Sequence, residues 1–81
     1  MSKQIPIPKG YDGIHVGENK QVVSNPYSGK SCELTPLAVA VYDTIKGAEL
    51  FGKYGMMQNG LDWFIKYYPK EYITLLDWIN S

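Results

Sequence analysis

The sequence predicts a small, mainly α domain: three helices preceded by an extended N-terminal arm, with a short β-hairpin as an open option ahead of the helices. Three observations carry this. A Thr-Pro pair at Thr35-Pro36 opens a segment with helical apolar spacing that runs to residue 51. Two further helical patterns follow, separated by Tyr68-Pro69. Proline and glycine are concentrated before residue 35, at Pro6, Pro8, Pro26, Gly10, Gly13, Gly17 and Gly29, where they favour turns over continuous elements.

Within residues 1–34 the Ile5-Pro6-Ile7-Pro8 stretch lacks backbone donors at alternate positions and is expected to be an arm whose isoleucines dock on apolar surface. A hairpin is open to the next segment, with Ile14 and Val16 facing Val22 and Val23 across a turn at Gly17-Glu18-Asn19. Asn25-Pro26 and Ser28-Gly29 mark a loop.

The first helix, residues 35–51, has Thr35 as N-cap and Pro36 in the first helical position, where a missing N–H is harmless. At 100° per residue Leu37, Ala40, Val41, Thr44, Ile45, Ala48, Phe51 and Gly52 share one broad arc. The ladder Ala40, Thr44, Ala48 and Gly52 is small enough to let a second helix approach closely. Gly47 lowers helix propensity by about 1 kcal/mol relative to alanine and is expected at a close contact or a bend. The second helix, residues 56–67, has an apolar arc of Met57, Gly60, Leu61, Phe64, Ile65 and Tyr68, with Asp62 and Lys66 in the favourable acid-first order on the other side. The third, residues 69–79, is expected to bury Tyr72, Leu75, Leu76 and Ile79.

Length sets the energetic frame. With 81 residues the chain is a single domain, residues 1–34 forming arm and loops and residues 35–81 the helical core. A domain a little smaller buries only about 60% of its unfolded surface, so dense packing or a partner is needed. The composition, 44% hydrophobic and 20% charged, is that of a folded chain. Eight basic residues, all lysine, balance eight acidic ones. Nucleic acid is therefore a poor partner, since duplex recognition draws on a positive field and on arginine forks. Cys32 stands alone and cannot form an internal disulfide. The prolines near the N-terminus interrupt the apolar run a signal peptide needs, and no run is long enough for a bilayer. A soluble, cytoplasmic protein without membrane attachment is the expectation.

The local chemistry argues against catalysis. Gly29-Lys30-Ser31 matches the end of a phosphate-binding loop, but Ser24 replaces the first glycine and Pro36 starts the helix too late. What survives is a binding alternative, in which Asn25, Ser28, Gly29, Lys30 and Ser31 hold a small anion or nucleotide through loop amides and the Lys30 ammonium. Cys32 with His15 as base and Asp12 or Glu33 as orienting group would make a thiol nucleophile, but nothing in the spacing requires it. Asp43, Asp62 and Asp77 read as solvated helix-face charges rather than paired acids. One His and one Cys are too few for a metal centre, and no cofactor is called for.

Asn25-Pro26-Tyr27-Ser28-Gly29-Lys30, the Leu34-x-Pro36-x-Ala38-Val39-Ala40-x-Tyr42-Asp43-x-Ile45-Lys46-Gly47 pattern, Gly60-Leu61-Asp62-Trp63-Phe64 and Tyr67-Tyr68-Pro69-Lys70-Glu71-Tyr72 together resemble a set of short, uncharacterised bacteriophage proteins over about residues 25–79. The resemblance implies expression in the cytoplasm of an infected bacterium and brings no catalytic residues with it.

The remaining signal is apolar surface that three helices do not use. Val39 and Leu50 lie behind the first helix, Trp63 borders the polar edge of the second, and Trp78 sits on the polar side of the third near Glu71 and Thr74. Tryptophan among polar residues is either covered by the arm or an interface anchor. The expectation is a non-enzymatic protein-interaction module whose Val39, Leu50, Trp63 and Trp78 meet a second copy, as a homo-oligomer, or a host protein.

Overall fold

The computed structural model of the chain describes residues 5–76. Two strands and three helices follow in order: β1 (Gln21–Ser24), β2 (Ser31–Leu34), α1 (Pro36–Leu50), α2 (Tyr54–Tyr67) and α3 (Pro69–Leu75). The mainly α domain with a short hairpin is thus what forms. Asp77, Trp78 and Ile79, the last turn of the expected third helix, lie outside the described residues.

The hairpin differs from the expected one. β1 and β2 pair antiparallel, with Val22 opposite Glu33 and Val23 opposite Cys32, while Ile14 and Val16 belong to neither strand. The reason is local. The Asn25 side chain accepts from the Tyr27 N–H at 2.8 Å, and the Asn25 carbonyl accepts from Gly29 N–H at 2.9 Å. Gly29 takes the positive φ of 76° that closes the loop, and the Asn25 N–H donates to the Lys30 carbonyl at 2.7 Å. Gly17-Glu18-Asn19 makes no comparable set of bonds among the described residues, so the turn forms at Asn25. The Asn25 amide then donates to the Thr74 carbonyl at 3.0 Å, which ties the loop to α3.

α1 begins as expected, with the Thr35 hydroxyl accepting from the Ala38 N–H at 3.3 Å and Pro36 in the first turn. Its end is a Schellman closure. Gly52 has φ of 71°, its N–H donates to Glu49, and the Lys53 N–H reaches back to the Ala48 carbonyl at 2.8 Å. The chain turns there into α2, which starts at Tyr54, slightly earlier than the apolar pattern suggests. Tyr68 at φ −138° breaks the helix before Pro69 opens α3.

The core is built around the first half of α1, where Ala38, Val39, Ala40, Val41 and Tyr42 are all buried. Ile45 packs on Leu61 and Phe64 of α2, with Leu34, Tyr72, Leu75 and Leu76 completing the cluster. α1 approaches α2 closely at Gly60. A Cβ at residue 60 would fall on the Tyr11 hydroxyl and 2.5 Å from Ile45 Cγ1. Gly47, by contrast, has open space where its side chain would be, so it serves no close contact.

Tyr11, absent from the expected core, is its largest fully buried side chain. Gly10 and Gly13, with φ of 86° and 87°, turn the chain on either side so that the ring enters between the helices. Its hydroxyl donates to the Met56 carbonyl at 2.8 Å. Burial pushes that hydroxyl up to about 12, against a smaller downward pull from the Gly60 backbone amide.

Candidate functional site

Four residues are expected to form the interaction surface, and the fold does not bring the three it describes, Val39, Leu50 and Trp63, into one exposed patch. Val39 is only 8% exposed and Trp63 only 6%, which corrects both as free surface. Val39 lies in a shallow cleft rimmed by His15, Asn19 and Gln21, so the segment after Tyr11 passes over this side of α1. The N-terminal arm accounts for Trp63: its indole N–H donates to the Pro6 carbonyl at 2.6 Å. Trp78 lies outside the described residues. Of the three described, Leu50 alone stands free, 82% exposed.

Leu50 has neighbours that the helical wheel assigned elsewhere. Phe51, expected on the buried arc, is 80% exposed, and Tyr54 is 65% exposed. All three belong to the corner joining α1 to α2, where the Schellman turn at Gly52 reverses the chain. The last turn of α1 overhangs the core, and reversal at Gly52 carries the first turn of α2 along the same end of the molecule. Helical periodicity stops being a guide to burial where a helix outruns its neighbour. The available signal was position: Leu50 and Phe51 stand directly before Gly52, the helix-ending glycine, where the chain reverses. Next to the corner, Lys46 lies 3.6 Å from Glu49 across the exposed side of α1, and the bare backbone of Gly47 adjoins them. Ile65, also expected in the α2 core stripe, is exposed, as is Ile73 on α3.

The loop proposed as an anion site is used differently. The N–H groups of Asn25, Tyr27, Gly29 and Lys30 donate to Lys30 O, Asn25 Oδ1, Asn25 O and Ser28 Oγ respectively. Amides committed to closing a hairpin are not pointed at a ligand, and Asn25 itself is buried against α3. Ser28, Lys30 and Ser31 stay exposed on the loop surface.

The thiol reading also loses its geometry. Cys32 faces Glu71 and Tyr42, whereas His15 lines the cleft beside Asp43 and Val39. Burial, and secondarily the Glu71 carboxylate, push the Cys32 thiol up, opposite to the shift that activates a nucleophile. Asp62 accepts from Gln58 at 2.9 Å on the exposed side of α2, and Asp43 is solvated on α1. Among the described residues no group of three or more His, Cys, Asp or Glu could hold a metal ion. No helix among them is long and apolar enough to cross a membrane.

Compared with protein-family profiles, with curated proteins and with solved structures, the chain finds no match in any of the three. The reading of function therefore rests on the surface itself.

Proposed function

We propose that the protein is a non-enzymatic interaction module that docks another protein, either a second copy or a protein of an infected bacterial host cytoplasm, through the corner formed by Leu50, Phe51 and Tyr54. The observation that carries this is the concentration of three large, exposed apolar side chains within five successive residues of a small domain. Burying a leucine or phenylalanine completely is worth roughly 1.5–3 kcal/mol each, so the three together suffice to anchor a small interface. Isolated exposed apolar residues are ordinary, but a contiguous group is not. Lys46, Glu49 and Lys53 supply a mixed polar border.

Light scattering coupled to size exclusion, with Leu50→Asp and Phe51→Asp as probes, tests the self-association form. Capture of a host protein by the wild type, lost in both variants, tests the other. Because both side chains are solvated in the monomer, the variants should keep wild-type stability within about 0.5 kcal/mol. A strictly monomeric protein whose captured partners are unaffected by either substitution would refute the proposal.

A further inference from the structure

A second surface, distinct from the corner, is defined by what already sits on it. Residues 5–9 lie along α2, and the bonds that hold them are unusual for core packing, since both go from α2 side chains to main-chain carbonyls. Trp63 Nε1 donates to Pro6 O at 2.6 Å, and Asn59 Nδ2, one turn earlier on the same side of the helix, donates to Lys9 O at 3.2 Å. Around Trp63 the rings of Phe64, Tyr68 and Tyr67 lie at centroid distances of 5.2, 5.3 and 5.8 Å. An indole N–H presented beside a cluster of edge-on and tilted aromatic rings is the chemistry that reads proline-containing extended peptides, whose carbonyls accept freely and whose backbone is stiff before binding.

We infer that this groove of α2 is a receptor for extended x-Pro-x-Pro segments, that the chain's own Ile5-Pro6-Ile7-Pro8 is its resident occupant, and that a proline-containing segment of a partner protein can replace it.

Three features support displacement. First, the anchor of the N-terminal region is Tyr11 and not the arm. Tyr11 is fully buried and bonded to Met56, and Gly10 at φ 86° separates it from the residues before it. For the arm to leave while Tyr11 stays, one further bond must open, from the Tyr11 N–H to the Pro8 carbonyl at 3.0 Å. Second, the arm is shallowly held: Pro8 is buried and Ile5 half-buried, whereas Pro6, Ile7 and Lys9 are exposed. Third, among the described residues the arm does not fill the space around it. A groove of about 320 Å³ remains on the side of Asp62, Lys66 and Tyr67, and a broader one of about 640 Å³ on the side of Val16 and Leu37. An incoming segment with larger side chains has room that the isoleucines leave open. Asp62 and the Lys66 ammonium, the latter 5.3 Å from the Tyr67 ring centroid, offer charges of both signs beside it.

A tethered occupant competes at a high local concentration, so an added peptide should bind the intact chain weakly and bind more tightly once the arm is loosened. The test uses the full chain, isotopically labelled, an unlabelled capped Ile-Pro-Ile-Pro-Lys peptide, and the Ile7 backbone amide resonance of the chain's own arm as reporter, assigned through Ile7→Val. The peptide should move that resonance saturably in the wild type, and Ile5→Ser should tighten apparent binding at least about tenfold. A peptide with both prolines replaced by alanine should bind at least about tenfold more weakly than the parent. If Ile5→Ser fails to fold, the wild-type titration and the alanine peptide still decide. A resonance that stays fixed at millimolar peptide, or equal binding of the two peptides, overturns the inference. Leu50→Asp should leave all of these values unchanged, which keeps this result separate from that of the corner.

Discussion

Two glycines on packed helices make opposite predictions for the same substitution. At Gly60 a new Cβ would meet the Tyr11 hydroxyl, Ile45 Cγ1 at 2.5 Å and Ile45 Cδ1 at 2.9 Å, all closer than real Cβ contacts come. Ile45 and Tyr11 are both fully buried, so neither can swing aside into solvent. Forcing a methyl group into such a site costs about 1–3 kcal/mol, and displacing Tyr11 from Met56 O removes a hydrogen bond worth about 1 kcal/mol. Against this stands a helix-propensity gain of about 1 kcal/mol. The net expectation for Gly60→Ala is a loss of roughly 1–3 kcal/mol, a large part of the about 4–12 kcal/mol typical of an 81-residue domain. At Gly47 the same methyl group enters open space, and only the propensity gain of about 0.5–1 kcal/mol remains. Urea denaturation followed by circular dichroism measures both, with unchanged slopes expected for two folded two-state proteins. A neutral Gly60→Ala, or a Gly47→Ala that destabilises, would refute the packing of α1 on α2 argued above.

Two further predictions follow from the polar groups that hold loops to the helical core. Tyr11 keeps its proton to about pH 12 in the fold, against an ordinary value of 10.0, so its contribution to stability is complete below pH 10 and is lost as pH rises through 12. Tyr11→Phe should cost about 1 kcal/mol at neutral pH; the difference in urea midpoint from wild type should shrink between pH 10 and 12, and a constant difference would show that Tyr11 is not buried. Asn25→Ala removes the acceptor for Tyr27 N–H and the donor to Thr74 O together, and should lower stability by roughly 1–3 kcal/mol in thermal or urea unfolding, whereas Lys30→Ala on the exposed part of the same loop should change it by less than about 0.5 kcal/mol.

The helices were legible in the sequence because their signals are local. Thr35-Pro36 starts α1 and Tyr68-Pro69 separates α2 from α3, each by a rule that concerns one or two residues. Tyr72, Leu75 and Leu76 are buried as their spacing suggests. What could not be read was set by tertiary contacts. Tyr11 sits in a glycine-rich stretch with no periodicity, and its burial depends on Gly60 leaving space almost fifty positions later. The hairpin register turned on which of two candidate turns could satisfy its own amides, and Asn25 wins partly through a bond to Thr74 on α3. Val39 and Trp63, expected outside the three-helix core, belong to its buried cluster, and residues 6–21, whose path no helical pattern encodes, lie beside both.

That cover sharpens the meaning of the corner. The N-terminal third of the chain shields α2 through Trp63 and Asn59, and shields α1 at Val39, so the domain has the means to bury stray apolar side chains. It does not do so at Leu50, Phe51 and Tyr54. Nor does the turn require apolar residues there: the closure between α1 and α2 depends on the positive φ of Gly52 and on backbone bonds from Gly52 and Lys53 to Glu49 and Ala48. Polar side chains at residues 50, 51 and 54 would close the same turn and hydrate better. Folding therefore accounts for Gly52, whereas the three side chains around it gain little burial among the described residues, which is the observation behind proposing a partner for them.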